Sequence, residues 1–305
     1  MEGTRLVEVR DVMTSSGQQV STTALQRRVE DISSWRERLQ AETAYLASET
    51  DQLERSRAEL EHAVRQLDLP EGVVVACMRA RDNRQGAEMV EDLVQKGLRT
   101  EVAEVRRLRE EMVILMDTVD SQLGKNAAVT KRLRQDVSGK QEAQGLDTEC
   151  HALQDSSKRI QGHPGIEQED TTKSTQLSWH QHSDKNLSNS TDARARSAEL
   201  RTKVEALLMA SCKELIDAWG ASNKNFAERI LETEKAMKLS MENLEQTNHE
   251  LTNMDYNIKL LQKAVEDKRN PRKVAESRLE VRSHRTGQED CSDLAQAALW
   301  QEVSP

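Results

Sequence analysis

Apolar residues recur every seven positions along three stretches of this chain. In the first, Leu25, Ile32, Leu39, Leu46, Leu53, Leu60 and Leu67 follow one another without a miss. A repeat that strict keeps one seam of a helix turned toward a neighbour along its whole length. The companion seam holds Val29 and Val64, with Arg36, Thr43, Thr50 and Arg57 between them, which argues against a simple parallel zipper. A second ladder runs Leu98, Val105, Met112, Val119, Asn126, Leu133, flanked by Val94, Leu108, Leu115 and Val129, so both of its seams are filled. Asn126 is a polar residue at a seam position, a device that sets register at some cost in stability. The third ladder is Ile230, Met237, Leu244, Leu251, Ile258 and Val265, with Met254 and Leu261 beside it.

Helix signals divide the chain around these ladders. Residues 1–22 show no sustained period and are expected to form a loose N-terminal tail. Thr23 and Gln26 have capping-box spacing and mark a helix start. Pro70 and Pro271 break the two halves, because the residue before a proline is pushed out of the α region. Between 138 and 191 the periodicity collapses into Gly139, Gly145, Gly162, His163, Pro164 and Gly165 and a Ser/Thr/Asn-rich run, which predicts a long linker. Trp179, the one Trp, Tyr or Phe in that stretch, is expected to be pinned against the helices. The division is a tail at 1–22, a first coiled-coil half at 23–137, a linker at 138–191 and a second half at 192–303.

The two halves are copies. Residues 84–102 and 285–303 align without a gap at an offset of 201 residues and share nine of nineteen positions: Arg, Gly, Glu, Asp, Leu, Gln, Leu, Glu and Val. The offset also lays Pro70 on Pro271, Val73 on Val274, Met78 on Leu279 and Arg81 on Arg282. By the same offset the helix of 103–137 has its counterpart at 304–338, so the second half is expected to lack its last helix and the chain to be a shortened form.

Composition narrows this further. Aromatic residues are 2% of the chain and charged residues 32%, too little bulky apolar material for ordinary globules but suited to long helices. The expected fold is all-α: long antiparallel coiled-coil helices forming an extended rod, two duplicated halves joined by a long loop. The net charge of −9 argues against nucleic acid as a partner. The longest apolar run, Val73 to Met78, is too short to span a membrane, and the first residues lack the apolar core of a secretory signal. Cys77, Cys150, Cys212 and Cys291 are scattered, which predicts reduced thiols in the cytoplasm and leaves the sequons at Asn186 and Asn189 unused. His180 and His182, with Cys150, His151 and His163, lack the paired spacing of zinc ligands and read as loop histidines. With no phosphate loop, nucleophile elbow or paired-carboxylate pocket, neither an enzyme nor a small-molecule site is predicted.

The repeated stretch resembles the signature of the tektins, filament proteins of cilia and flagella. Their hallmark nonapeptide reads Arg-Pro-Asn-Val-Glu-Leu-Cys-Arg-Asp. The run from Arg285 to Asp293 keeps Arg285, Glu289, Cys291 and Asp293, and carries Thr286, Gly287, Gln288 and Asp290 at positions that differ. The resemblance extends through Lys273 to Arg282 before it and Asp293 to Gln296 after it. Ser21 to Leu25 with Asp31, Ile32 and Trp35 is similar to the start of the family's first helix. Pro70, Val73, Cys77, Arg81, Arg84 and Gly86 follow the first half, and Trp179, Ser183, Asn186 and Leu187 the opening of the second.

What the resemblance implies is a structural protein of axonemal doublet microtubules, with no catalytic residue, cofactor or metal. Its partners would be other tektins, tubulin and microtubule inner proteins, and its place the cytoskeleton of the cilium or flagellum. Arg285, Glu289, Cys291 and Asp293 would form a filament-contact loop, with Arg84, Gly86, Glu88 and Asp92 as the repeat counterpart. Cys291 has two readings, a contact thiol or a small buried hydrophobe. An alternative function from another class is a soluble coiled-coil dimer acting as a cytoskeletal adaptor.

Overall fold

The computed structural model describes residues 2–166 and 172–304. Five helices and two short 3-10 turns make up the regular structure, and no strand occurs among the described residues. The helices are α1 (Glu2–Gln66), α2 (Asp68–Asp82), α3 (Leu93–Ala152), α4 (Gln176–Ser283) and α5 (Leu294–Val303). The all-α class read from the heptads is what the chain adopts. It forms two compact units, Met1–Asn225 and Phe226–Pro305, whose boundary falls within α4.

In the first unit three helices lie side by side. Arg57 of α1 bonds Asp120 of α3, Thr50 receives Asn126, and Gln18 reaches Asp155, so α3 runs back along α1. Arg194 and Arg201 of α4 bond Glu42 and Glu49, so α4 runs in the direction of α1. The ladder of α1 is the core: Ile32, Leu39, Leu46, Leu53, Leu60 and Leu67 are all buried, at roughly 1.5–3 kcal/mol each from removing an aliphatic side chain from water. Val105, Met112 and Val119 of α3 and Val204 of α4 close around Leu53, Leu60 and Leu67.

One polar layer crosses this core. The Asn126 amide nitrogen donates to Thr50 Oγ1 at 3.2 Å and to Ser197 Oγ at 3.0 Å, and its oxygen accepts from Gln122. The layer joins all three helices, and a shift of any one by a turn would strand a buried amide.

At one end of the unit, Trp179 lies between the Arg28 guanidinium, 3.8 Å from its ring, and the Lys140 ammonium, at 4.2 Å. Trp35 packs edge-on to it and donates its indole N–H to His180 Nδ1 at 3.0 Å. Lys140 is itself buried in an ion pair with Asp136 at 3.0 Å, and Asn186 donates to the other carboxylate oxygen. Burial alone would raise the Asp136 pKa, but the Asn186 amide and Lys140 outweigh it and hold the carboxyl below its usual range.

Three expected boundaries are corrected. The segment at 1–22 is not a loose tail: from Glu2 onward it belongs to α1, because extending a formed helix needs no new nucleus. Thr23 is therefore not a cap; its hydroxyl bonds the Gln19 carbonyl within the helix. Met1 lies outside the described residues. The linker is shorter than 138–191, since α3 continues to Ala152 and α4 begins at Gln176, with 167–171 outside the described residues. The α3 seam continues there through Lys140, which a hydrophobic ladder does not reveal. Near Pro70, α1 ends at Gln66, Leu67 keeps α-helical angles, and Pro70 sits in the first turn of α2. Pro271 does not break α4, where the carbonyl it leaves free belongs to exposed Asp267.

Replacing Asn126 by Ala leaves Ser197 and Gln122 short of partners and should cost about 1–3 kcal/mol. The urea midpoint of the helical signal should fall accordingly; an unchanged midpoint would show that the layer contributes nothing.

Candidate functional site

The duplicated stretch folds twice into the same motif. After α2 the chain passes through a 3-10 turn at Gly86–Glu88 and enters α3; after α4 it passes through Gly287–Glu289 and enters α5. Gly86 has φ +56° and Gly287 φ +68°, a left-handed conformation that a side chain resists. This accounts for the one glycine pair that the two copies share.

Each motif is held by one carboxylate with two tasks. Asp92 caps α3 by accepting the Gln95 amide N–H at 2.9 Å, and receives the Arg81 guanidinium at 2.5 Å. Asp293 caps α5 by accepting the Gln296 N–H at 2.9 Å, and receives Arg282 at 2.6 Å. Arg81 Nε also donates to Gln95 Oε1 at 3.1 Å, as Arg282 Nε does to Gln296 Oε1 at 2.9 Å. Arg84 and Arg285 stand 3.8 and 3.7 Å from the two aspartates as second cations. The clasp ties the end of one helix to the start of the next and so sets the angle of the corner.

The electrostatics follow from the bonds. The Arg282 hydrogen bond, then the Gln296 N–H, pull the Asp293 pKa from its ordinary 3.8 to about 2. Asp92 is more buried, which opposes ionisation, yet the Gln95 N–H and Arg81 still hold it below its ordinary value.

Of the residues singled out from the sequence, Arg285 and Asp293 come together, as do their counterparts Arg84 and Asp92. Glu289 and Glu88 close their 3-10 turns. Cys291 is exposed, which overturns its reading as a buried hydrophobe. Sequence reasoning noted Arg81, Arg282, Gln95 and Gln296 as matched residues but gave them no part in the site. Their signal was present, since each is an identity at the 201-residue offset. The histidines weighed as ligands stand in separate contacts, and no group of three or more His, Cys, Asp or Glu among the described residues is placed to hold a metal.

The tektin family model matches residues 1–305. The chain belongs to the tektin family. It is 30% identical to Tektin-4 of Xenopus laevis over 302 residues, 99% of this chain and 68% of the relative. Human Tektin-4 is 30% identical over 283 residues, covering 93% of this chain and 65% of the relative. The mouse protein of that name is 28% identical over 302 residues. This tektin thus spans about two thirds of the length of the curated relatives it matches. The run expected to be the tektin signature, Arg285 to Asp293, is the loop that the second clasp closes.

Two measurements probe the clasp in this tektin. Asp92→Ala removes the α3 cap and should cost about 1 kcal/mol in denaturant unfolding. Because the folded pKa of Asp293 is depressed, the second clasp stabilises the corner above pH 3.8 and is lost as pH falls toward about 2. Protection of the Gln296 amide against hydrogen exchange should drop across that window, with an earlier onset in Arg282→Gln; flat protection would show that the clasp does not hold α5.

Proposed function

We propose that this chain is a structural component of the axonemal doublet microtubules of cilia and flagella. In this reading it polymerises into tektin-type filaments on the inner wall of the tubule and stabilises the doublet. Its partners are other tektins, tubulin and further proteins of the microtubule lumen, and it performs no catalysis. The loops at 84–92 and 285–293 act as joints where helices, and successive subunits, meet.

The observation that carries this is the match of the tektin family model over residues 1–305, and a third ladder open to a further helix is in keeping with it. Ile230, Met237, Leu244, Leu251, Ile258 and Val265 stand seven apart and are each more than half exposed. The described residues leave that seam in water, and a continuous apolar seam of this kind calls for a further helix. No helix among the described residues is long and apolar enough to cross a membrane.

Antibody to this chain should label cilia or sperm flagella along their length, and the purified protein should form polymers that resist high salt. Diffuse cytoplasmic label together with a discrete dimer by light scattering would favour the adaptor function instead. Incorporation of an Arg285→Ala, Asp293→Ala variant at normal levels would remove the signature loop from the joint.

A further inference from the structure

The two copies of the clasp differ in what covers them. In the first, α4 lies across the start of α3: Asn225 Nδ2 donates to the Leu93 carbonyl at 3.2 Å, and Val94 and Leu98 are fully buried. The fit is close at Gly97, where an added Cβ would come within 2.9 Å of Asn225 Nδ2 and 3.5 Å of Ser222 Oγ. In the second, the support from the preceding helix is intact, since Ala275 is as buried as its counterpart Val74. Val274 and Val281 also line a cleft with Leu299. Yet Leu294 is 90% exposed, Ala295 and Ala298 are exposed, and Leu299 and Val303 are only half-buried. Among the described residues, no helix takes over the second copy the place that α4 takes over the first.

The repeat names that helix. Shifting 222–226 back by 201 residues gives 21–25: Ser222 falls on Ser21, Asn225 on Ala24 and Phe226 on Leu25. The same shift lays Leu207 and Leu208, which pack against the core of the first unit, on Leu6 and Val7. Residues 8–24 of α1 are helical but exposed, with Val9, Val12, Met13 and Val20 each more than half in solvent. Volumes also match across the proposed contact. Where the first copy pairs Gly97 with Asn225, the second offers Ala298 and the shifted segment offers Ala24. The side chain gained on one helix is compensated by the one lost on the other.

We infer that the Ser21–Leu25 face of α1 in one copy docks antiparallel on α5 of a second copy, with Ala24 against Ala298. This deepens the filament reading above and rests on it, by naming the two segments that form the joint and their register. The contact is between unlike surfaces, so it does not close on itself and propagates from chain to chain. The bond from Asn225 to the Leu93 carbonyl has no equivalent here, because Ala24 cannot donate. The joint is therefore a packing contact, strengthened by the apolar side chains of 9–20.

The test uses full-length chains. One carries Ala24→Cys and the other Ala298→Cys, so that any 24–298 disulfide must join two molecules. The pair is co-assembled, pelleted, mildly oxidised and digested for mass spectrometry. The expected product is the peptide linking positions 24 and 298. Gln301→Cys in place of Ala298→Cys should give none, because its counterpart Thr100 faces solvent in the first copy. Pelleting polymer without the 24–298 peptide overturns the register while the filament reading stands. Equal linkage from Gln301→Cys likewise overturns it. Failure of the natural chain to pellet at all overturns the filament reading and this joint with it.

Discussion

The first unit depends on one buried amide. Asn126 holds Thr50 of α1 and Ser197 of α4 at hydrogen-bond distance from the middle of α3. The hydrophobic seams alone would tolerate sliding by a heptad, because one leucine is much like the next. An amide with two specific partners does not tolerate it, since an unpaired polar group in a core costs more than a good bond contributes. The surface pairs Arg57 with Asp120, Arg194 with Glu42 and Arg201 with Glu49 follow the register that this layer sets. They are partly exposed and add specificity more than stability.

A second economy lies in the corners. One aspartate in each copy serves both as helix cap and as counterion to an arginine on the preceding helix. The glycine before it takes the left-handed turn, and the glutamine three residues after the cap completes the ring by accepting from the same arginine. Every identity in this ring is therefore a geometric requirement. The loop positions at which the two copies differ, Thr286, Gln288, Asp290 and Cys291, are exposed and their side chains take no part in the clasp. That separation matters for a tektin. The corner persists by its own chemistry, and the exposed positions are free to answer to whatever the loop touches.

Burial divides the two units as sharply as the sequence unites them. The ladder of α1 is sealed by α3, whereas the ladder at 230–265 faces water. Both are seven-residue repeats of similar residues. The difference is whether a neighbouring helix covers the seam among the described residues, and an open seam of six large apolar residues calls for one.

The heptads of α1 and α3, the polar register position at Asn126, the pinned Trp179 and the duplication were all legible in the residues, because each is a local or periodic signal. The seam that α4 turns to the core of the first unit was legible only in part. Its buried positions Ser183, Ser190, Ser197 and Ser211 repeat at multiples of seven but carry hydroxyls, so they leave no trace in a hydrophobic pattern. Lys140 was hidden for the same reason, a charge at a seam position made tolerable only by Asp136 and the Trp179 ring. Thr23 and Pro271 looked like boundaries and are not, because a helix already formed on either side continues more cheaply than it stops. Sequence by itself determined which faces are apolar and where the chain repeats, since spacing along a helix is fixed by its 3.6-residue turn. Only the tertiary structure decided which seams find a partner, and that the clasp around Arg282, Asp293 and Gln296 closes. Both depend on what another helix brings into reach.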